Sequence, residues 1–381
     1  MQFCTECGKL RVVRTVLISG AGVAGPTLAY WLARAGWQPT VVERAAGQRS
    51  SGNPVDVRGP ALPVVEQMGI VDALRAAATH ATGVRLVDPA GRPGRRIAMP
   101  ATRSPAGTTE IEVPRADLAR ILHDAARDDA EFRYDDTVTR LDQDPGGVDV
   151  TFATAPPRRF DLVVGADGLH STVRRLAFGP ERDVVRHLGL YVATTPLGEA
   201  PEHPHDVLLH NTPGRLVAVH PVRGEAGVAF IFRHPAVADF DHTDTARHRQ
   251  LLTDAYAGER GWRVPELLAR ARQADDLYFD AVTRVVLPCW STGRVTLLGD
   301  AAASVSLFGD GSSLAIAGAR TLAAALAGNE PVAALRRYEA EHRRRTDRRG
   351  RTTGLVAAVL VPGSRPGVAV RNALARLLPA G

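Results

Sequence analysis

The sequence predicts an α/β fold in which a mostly parallel sheet is interleaved with an antiparallel sheet. Three observations predict it: a glycine-rich loop after a strand near residue 20, two later apolar strands that each end in glycine and aspartate, and a middle region of short strands separated by turns. The 381 residues are 45% apolar and 23% charged, which is ordinary globular composition. Disordered and fibrous classes are therefore excluded, and the length fits one large domain or two interleaved ones.

The first motif is a glycine loop between a strand and a helix. An apolar run at 15–19 predicts a buried strand, and a helical stretch from Leu28 follows the loop until Gly36 ends it. In this context the spacing G-x-G-x-x-G is a specific signal, because backbone N–H groups and the helix dipole at such a loop bind a pyrophosphate. We expect five loop residues to contact a dinucleotide: Gly20, Gly22, Val23, Ala24 and Gly25.

An acidic residue at the end of the next strand restricts the dinucleotide. Glu43 follows the run 40–42 and lies 18 residues after Gly25. A carboxylate at this place can accept hydrogen bonds from both ribose hydroxyls, and it would repel a 2′-phosphate. The sequence therefore favours FAD or NAD over NADP at this site.

Two later strands favour FAD over NAD. The runs 161–164 and 294–298 lead into Asp167 and Asp300, at the edge where ligands bind to an open parallel sheet. Contacts that recur in three separate segments indicate one long cofactor, and FAD has that length. A second G-x-G-x-x-G, which would indicate a dedicated nicotinamide domain, is absent from the sequence.

In order and spacing these motifs resemble those of the single-component flavin aromatic hydroxylases, the family of para-hydroxybenzoate hydroxylase. The resemblance runs from about Val13 to Leu378 and is carried by the glycine fingerprint ending in Glu43-Arg44, by Gly165-Ala-Asp-Gly168 and by Gly299-Asp-Ala-Ala302. It implies a Rossmann-like FAD-binding domain interleaved with an antiparallel β-sheet substrate domain.

The resemblance also assigns roles to single residues. It implies that Arg115, in Val113-Pro-Arg, reaches the FAD, that Asp300 bonds the ribitol and that the Asp167 block lies near the pyrophosphate. Arg58 is a further candidate for contact with the flavin.

A long Ala-rich helix is predicted after Asp300, from about Phe308 to Ala327. The resemblance places its start under the pyrimidine edge of the flavin, where free N–H groups and the positive dipole end would stabilise negative charge on reduced flavin. The chain departs from the family pattern at Ala303, where relatives often have His, and at Ser306-Leu307, where they often have Pro. The cofactor contacts expected at this helix start are Gly309, Gly311 and Ser312.

The predicted domains are discontinuous. The FAD-binding domain takes residues 13–80, 105–180 and 281–345, and the substrate domain takes 81–104 and 181–280. An N-terminal extension (1–12) and a C-terminal helical segment (346–381) complete the chain.

The middle region predicts an antiparallel sheet over the flavin. Strands are predicted at 207–210, 216–221 and 228–233, with a turn at 222–227 and helical structure at 248–274. If residues 222 and 227 pair, His220 lies on one face of the sheet and both Phe230 and Phe232 lie on the other. Which face meets the substrate stays open, and for each of these side chains a place in the sheet core is the favoured alternative. The candidate pocket residues are His210, His220, Phe230, Phe232 and Phe308.

The basic balance belongs to the C-terminal segment. The net charge is +6, but residues 336–381 carry +8 and the remaining chain −2. Such an Arg run is typical of a solvated helix face, and no aromatic residues alternate with it to stack bases, so a nucleic-acid partner is not expected.

Other features argue for a cytoplasmic protein without a membrane partner. No apolar run approaches the ~20 residues that span a bilayer. The three cysteines Cys4, Cys7 and Cys289 are too few for a disulfide framework, and Cys4-x-x-Cys7 lacks the second pair that a metal site needs.

The resemblance implies an FAD-dependent monooxygenase that acts as monomer or homodimer. NAD(P)H would dock transiently and reduce the flavin, O₂ would form a C4a-hydroperoxide, and an electron-rich aromatic or polyketide-type small molecule would accept oxygen. No catalytic side chain is predicted, because the flavin carries the chemistry. Two alternatives stay open: a flavin halogenase, which needs a catalytic lysine although Lys9 is the only one, and an FAD-binding protein without net redox chemistry, such as a cyclase or dehydratase.

Overall fold

The computed structural model describes residues 13–47, 54–99, 101–304, 310–350, 353–375 and 377. The expectations for Cys4, Cys7, Lys9, Phe308 and Gly309 lie outside the described residues.

Within these residues the strands are, in chain order, β1 (Arg14–Ser19), β2 (Trp37–Val42), β3 (Val55–Val57), β4 (Gly83–Val87), β5 (Pro93–Ala98), β6 (Ile111–Val113), β7 (Glu131–Arg133), β8 (Val138–Asp144), β9 (Gly147–Phe152), β10 (Arg158–Phe160), β11 (Leu162–Gly165), β12 (Val185–Pro196), β13 (Asp206–Thr212), β14 (Arg215–Val222), β15 (Glu225–Arg233), β16 (Tyr278–Val285), β17 (Ser291–Thr292) and β18 (Val295–Leu297). The helices are α1 (Ala24–Arg34), α2 (Leu62–Gln67), α3 (Val71–Ala76), α4 (Arg115–Ala126), α5 (Thr172–Phe178), α6 (Glu181–Val184), α7 (Thr245–Tyr256), α8 (Val264–Gln273), α9 (Asp300–Ala303), α10 (Asp310–Leu326), α11 (Pro331–Gly350), α12 (Thr353–Leu360) and α13 (Arg365–Ala375).

A six-stranded sheet forms the first half of the fold. Its order is β17-β18-β11-β1-β2-β7, with parallel pairing from β18 to β7 and an antiparallel edge at β17. The central strand β1 is an apolar run whose residues Val16, Leu17 and Ile18 have no exposed surface, as expected for a parallel sheet covered on both faces. Helix α1 packs against α4 and α10. This sheet confirms the predicted Rossmann-like half.

A seven-stranded sheet forms the second half, in the order β16-β12-β15-β14-β13-β4-β5. All its pairs are antiparallel except β13 with β4. One face packs against α7 and α8 through an aromatic core, and the other packs in part against Ala357 of α12 and against Val361, which follows that helix. The predicted interleaving of the two sheets is confirmed, while the predicted domain boundaries stay a prediction; β16 crosses the one at residue 281.

The hairpin between β14 and β15 differs from the predicted one. Val222 pairs with Glu225 rather than with residue 227, and the turn has two residues, Arg223 and Gly224, with φ of 49° and 86°. Two positive φ angles are typical of the tight turns that match strand twist. The register shift is two residues, so every side chain keeps its predicted face.

Two smaller sheets complete the fold. Strands β10-β9-β8 form a three-stranded antiparallel sheet, and β3 pairs with β6 in a two-stranded ribbon. The predicted helical region 248–274 is two helices, α7 and α8, and the predicted Ala-rich helix is α10. In the described ranges no helix is long and apolar enough to cross a membrane.

Candidate functional site

The glycine loop has the geometry of a ligand cradle. A Cβ at Gly20, where φ is 108°, would lie 2.5 Å from the Ala166 carbonyl oxygen, and one at Gly25 would lie 1.9 Å from that of Gly20. Both glycines therefore allow close packing of the loop on the neighbouring strand and helix. Gly22 is different: it is exposed, and no atom of the described structure lies within 4 Å of a Cβ placed there. The loop leaves open space at the one glycine that should approach a pyrophosphate.

Glu43 holds the shape of this loop. Its Oε2 accepts a hydrogen bond from the Ala21 N–H at 2.9 Å, and its Oε1 accepts one from the Ala45 N–H at 3.0 Å. Each carboxylate oxygen keeps further acceptor capacity for a ribose hydroxyl. The next residue, Arg44, is exposed. Val23 lies half-buried ahead of α1, and Ala24 is buried as its first residue.

The Asp167 carboxylate is occupied by protein donors. It accepts hydrogen bonds from the backbone N–H of Thr172 at 2.8 Å and of Val173 at 3.1 Å, and from the hydroxyls of Ser19 and Ser171. It therefore fixes the start of α5 beside β1. A direct bond from this carboxylate to the cofactor stays a prediction.

Asp300 is a half-buried residue at the start of α9. Burial raises its pKa, and the charges of Arg115 and Arg174 oppose the rise. Its Oδ1 lies 3.3 Å from the position of a Cβ at Gly311 in α10, so the two segments nearly touch. Among the described residues neither the Asp300 carboxylate nor the exposed Arg115 guanidinium makes a side-chain hydrogen bond. An acceptor and a donor without partners fit the ribitol and phosphate groups of FAD.

The start of α10 is tied to the β3–β6 ribbon. Ser313 donates a hydrogen bond to the Asp56 carbonyl oxygen at 2.7 Å and accepts one from the Arg58 N–H at 3.0 Å. The Arg58 Nε donates to Asp310 at 2.9 Å. The predicted contact residue Arg58 therefore lies at this helix start, beside Gly311 and the buried Ser312.

Three carboxylates at the ribbon were not predicted from the sequence. Asp56 of β3 and Glu112 of β6 are direct cross-strand partners, and Glu110 lies 3.3 Å from Arg58. Glu112 bonds His220 of the seven-stranded sheet at 3.2 Å and accepts a short hydrogen bond from Thr79. For Asp56 and Glu112 the signal was a single acidic residue between two apolar ones, in V-D-V and I-E-V, which places the acid on the face opposite the core.

A second cluster, also unpredicted, lies beyond Gly168. His170 is paired with Glu181 at 3.0 Å and with Asp280 of β16 at 3.1 Å. Burial alone would lower the pKa of His170, but hydrogen bonds to the two carboxylates outweigh it and raise the pKa to about 9. The His242 ring stacks on that of His170 at 3.8 Å. The protonated His170 therefore links the segment after β11 to β16 of the seven-stranded sheet.

The predicted pocket residues separate onto two faces. Phe230 and Phe232 are fully buried and pack edge-on against Tyr256 of α7, at 5.2 and 5.9 Å between ring centroids. Buried His210 lies on the same face and bonds the Val87 carbonyl oxygen at 3.1 Å. The expectation that these three line a pocket is corrected: helices α7 and α8 cover their face. His220 lies on the opposite face, toward the ribbon.

The fold and this site define a protein that holds one long dinucleotide across several segments. Comparison with known proteins agrees. Residues 14–351 match the family model described as FAD binding domain. An uncharacterized protein of Mycobacterium tuberculosis is 39% identical over 335 residues, which cover 86% of this chain and 90% of that protein. A flavin-dependent monooxygenase of Legionella longbeachae is 33% identical over 337 residues, covering 85% and 84%.

Solved structures agree as well. The tetracycline destructase Tet(55) superposes with a TM-score of 0.82 and 30% identity, covering 97% of this chain and 98% of its own. HpxO of Klebsiella pneumoniae, solved with FAD and uric acid, has a TM-score of 0.75 at 23% identity and supports the fold alone. The chain belongs to the FAD-binding family of flavin-dependent monooxygenases. It is an oxidoreductase with FAD as its cofactor, which the open Gly22 loop and the Asp300–Arg115 pair accommodate.

Proposed function

We propose that the protein uses NAD(P)H and O₂ to transfer one oxygen atom to an electron-rich, polycyclic aromatic or polyketide-type small molecule. When bound, FAD supplies the electron transfer from NAD(P)H and the activation of O₂. The protein groups hold the cofactor, orient the acceptor and exclude water.

Each segment has a part in this proposal. The N–H groups of the Gly22 loop bind the pyrophosphate, Glu43 the ribose and Asp300 the ribitol. Arg115 donates to the cofactor from the start of α4. The N-terminal turn of α10, with Gly311 and Ser312, stabilises negative charge on the reduced flavin.

One observation carries the position of the substrate. The ribbon β3–β6 connects the start of α10, through Arg58 and Asp310, with the face of the seven-stranded sheet opposite α7 and α8, through Glu112 and His220. The cofactor end of α10 and this sheet face therefore border one region, with polar groups on its wall. The opposite sheet face is closed by α7 and α8.

The test is a coupled turnover screen. FAD-loaded protein is incubated with NADH or NADPH and a panel of tetracyclines, other polycyclic phenols and simple phenols, while absorbance at 340 nm and O₂ uptake are recorded. Tetracyclines come first because Tet(55) shares 30% of its sequence with this chain. We expect at least one compound to accelerate both signals together.

Catalase added to the same assay separates oxygen transfer from wasteful peroxide formation. Stimulated O₂ uptake that catalase does not diminish supports oxygen transfer. No acceleration by any compound with either nucleotide, in protein that retains FAD, would contradict the proposal and favour a member of this fold that acts without net redox chemistry.

A further inference from the structure

The ribbon carboxylates differ in how firmly they are held. Glu112 is committed to His220 and Thr79. Glu110 accepts two hydrogen bonds from Thr102, both at 2.9 Å. The Asp56 carboxylate has a different environment: its contact within the described structure is Arg58 Nη1, at a long 3.4 Å. Asp56 is therefore the least constrained carboxylate of the group, although its side chain is only 17% exposed.

Asp56 lies beside the start of α10. Its carbonyl oxygen is bonded to Ser313, within the first turn of α10. Arg58, its charged neighbour, is also bonded to Asp310 at the first position of that helix. This helix start is where the proposed binding mode places the pyrimidine edge of FAD. At the same distance, partly buried charges interact more strongly than surface charges, because water and salt screen them less.

The charges around Asp56 come from every element that packs against it. Arg58 follows β3, Glu110 precedes β6, Glu112 lies on β6, Asp310 begins α10, and His220 belongs to β14. Burial raises the pKa of Asp56 to about 6, the Arg58 charge opposes the rise, and the three carboxylates add to it. The group is therefore mostly ionised at neutral pH, and a further negative charge nearby would raise its pKa again.

We propose that Asp56 takes up a proton when the bound flavin is reduced, so that the two events are linked. A nicotinamide dinucleotide delivers two electrons and one proton as hydride, and the flavin gains one negative charge. A second proton, from solvent, forms an O–H bond on the Asp56 carboxylate, whose negative charge is lost. No bond in the protein breaks, and the total charge of the site is unchanged.

The linkage has a defined pH window. Below about pH 6 Asp56 is protonated in both flavin states, and at a pH far above 6 the carboxylate is ionised in both. In between, reduction takes up two protons per two electrons instead of one. The midpoint potential should therefore fall with rising pH about twice as steeply inside the window as outside it.

The experiment is spectroelectrochemical titration of the FAD-loaded protein at a series of pH values from about 5 to about 9. We expect the steep segment in the wild type, its loss in Asp56→Asn and its return in Asp56→Glu. Glu110→Gln is the matched control: it removes a neighbouring charge that raises the Asp56 pKa, so the steep segment should remain but move to lower pH.

Equal pH dependence in the wild type and Asp56→Asn would overturn the proposal. A steep segment at the same pH in Glu110→Gln as in the wild type would also overturn the proposal. This second result does not depend on whether Asp56→Asn folds. The inference rests on the proposed placement of FAD but not on oxygen transfer, because the electrode supplies the electrons. A failed turnover screen with a positive titration would therefore remove the reaction and keep the linkage.

Discussion

At the scale of residues, the glycine loop separates packing from binding. A side chain at Gly25 meets the backbone of Gly20, whereas a side chain at Gly22 meets only open space. One motif therefore contains a glycine that the fold requires and a glycine that the cofactor requires.

We expect Gly22→Ala to weaken FAD binding and Gly25→Ala to weaken the fold. Gly22→Ala should leave the free energy of unfolding of the cofactor-free protein nearly unchanged and weaken FAD binding at least ~10-fold, about 1.4 kcal/mol. Gly25→Ala should lower that free energy by more than about 2 kcal/mol, because a backbone oxygen cannot move aside. Urea denaturation and quenching of flavin fluorescence measure the two quantities. A Gly22→Ala protein that binds FAD normally would contradict the cradle.

At the scale of elements, two contacts join the sheets. The His170–Asp280 pair connects the segment before α5 with β16, and the Glu112–His220 pair connects the ribbon with β14. Aromatic side chains on the other face of the seven-stranded sheet anchor α7 and α8. The cofactor and substrate sides are thus held by partly buried His–carboxylate pairs, and the outer side by apolar packing.

The His170 pair should make stability depend on pH. The pKa of His170 is raised from 6.5 to about 9 in the folded protein, so its stabilisation is complete below pH 6.5 and is lost as pH rises through 9. The shift corresponds to roughly 3 kcal/mol. Urea denaturation of the wild type and His170→Gln, compared between about pH 6 and about pH 10, should show a difference that shrinks by this order. A difference that is constant across the range would argue against a charged His170.

Phe230 should act in the core and not in the pocket. Phe230→Ala should lower the free energy of unfolding by about 3–5 kcal/mol, because the cavity opens between β15 and Tyr256. FAD affinity of the folded fraction should stay within about twofold of the wild type. Calorimetry and flavin titration check both statements, and loss of FAD binding with unchanged stability would return Phe230 to the site.

In the whole molecule, local sequence patterns predicted the fold. Contacts between residues far apart in the sequence could not be predicted from those patterns. The glycine loop, Glu43 and Asp300 were predictable because each depends on a strand and the few residues after it. The sheet faces of His220 and Phe230 were predicted correctly although the predicted hairpin turn between β14 and β15 was wrong. A register shift of two residues leaves every side chain on the same face of the sheet. Asp56, Glu112 and His220 meet from three separate segments, so no local pattern could bring them together.

We propose that the protein transfers one oxygen atom from O₂ to an organic substrate on bound FAD. The most direct measurement is mass spectrometry of the product formed under ¹⁸O₂ from whichever compound the turnover screen identifies. Oxygen transfer from O₂ predicts one ¹⁸O atom in each product molecule and none when the label is in water. A product of unchanged mass, or one labelled only from water, would contradict it.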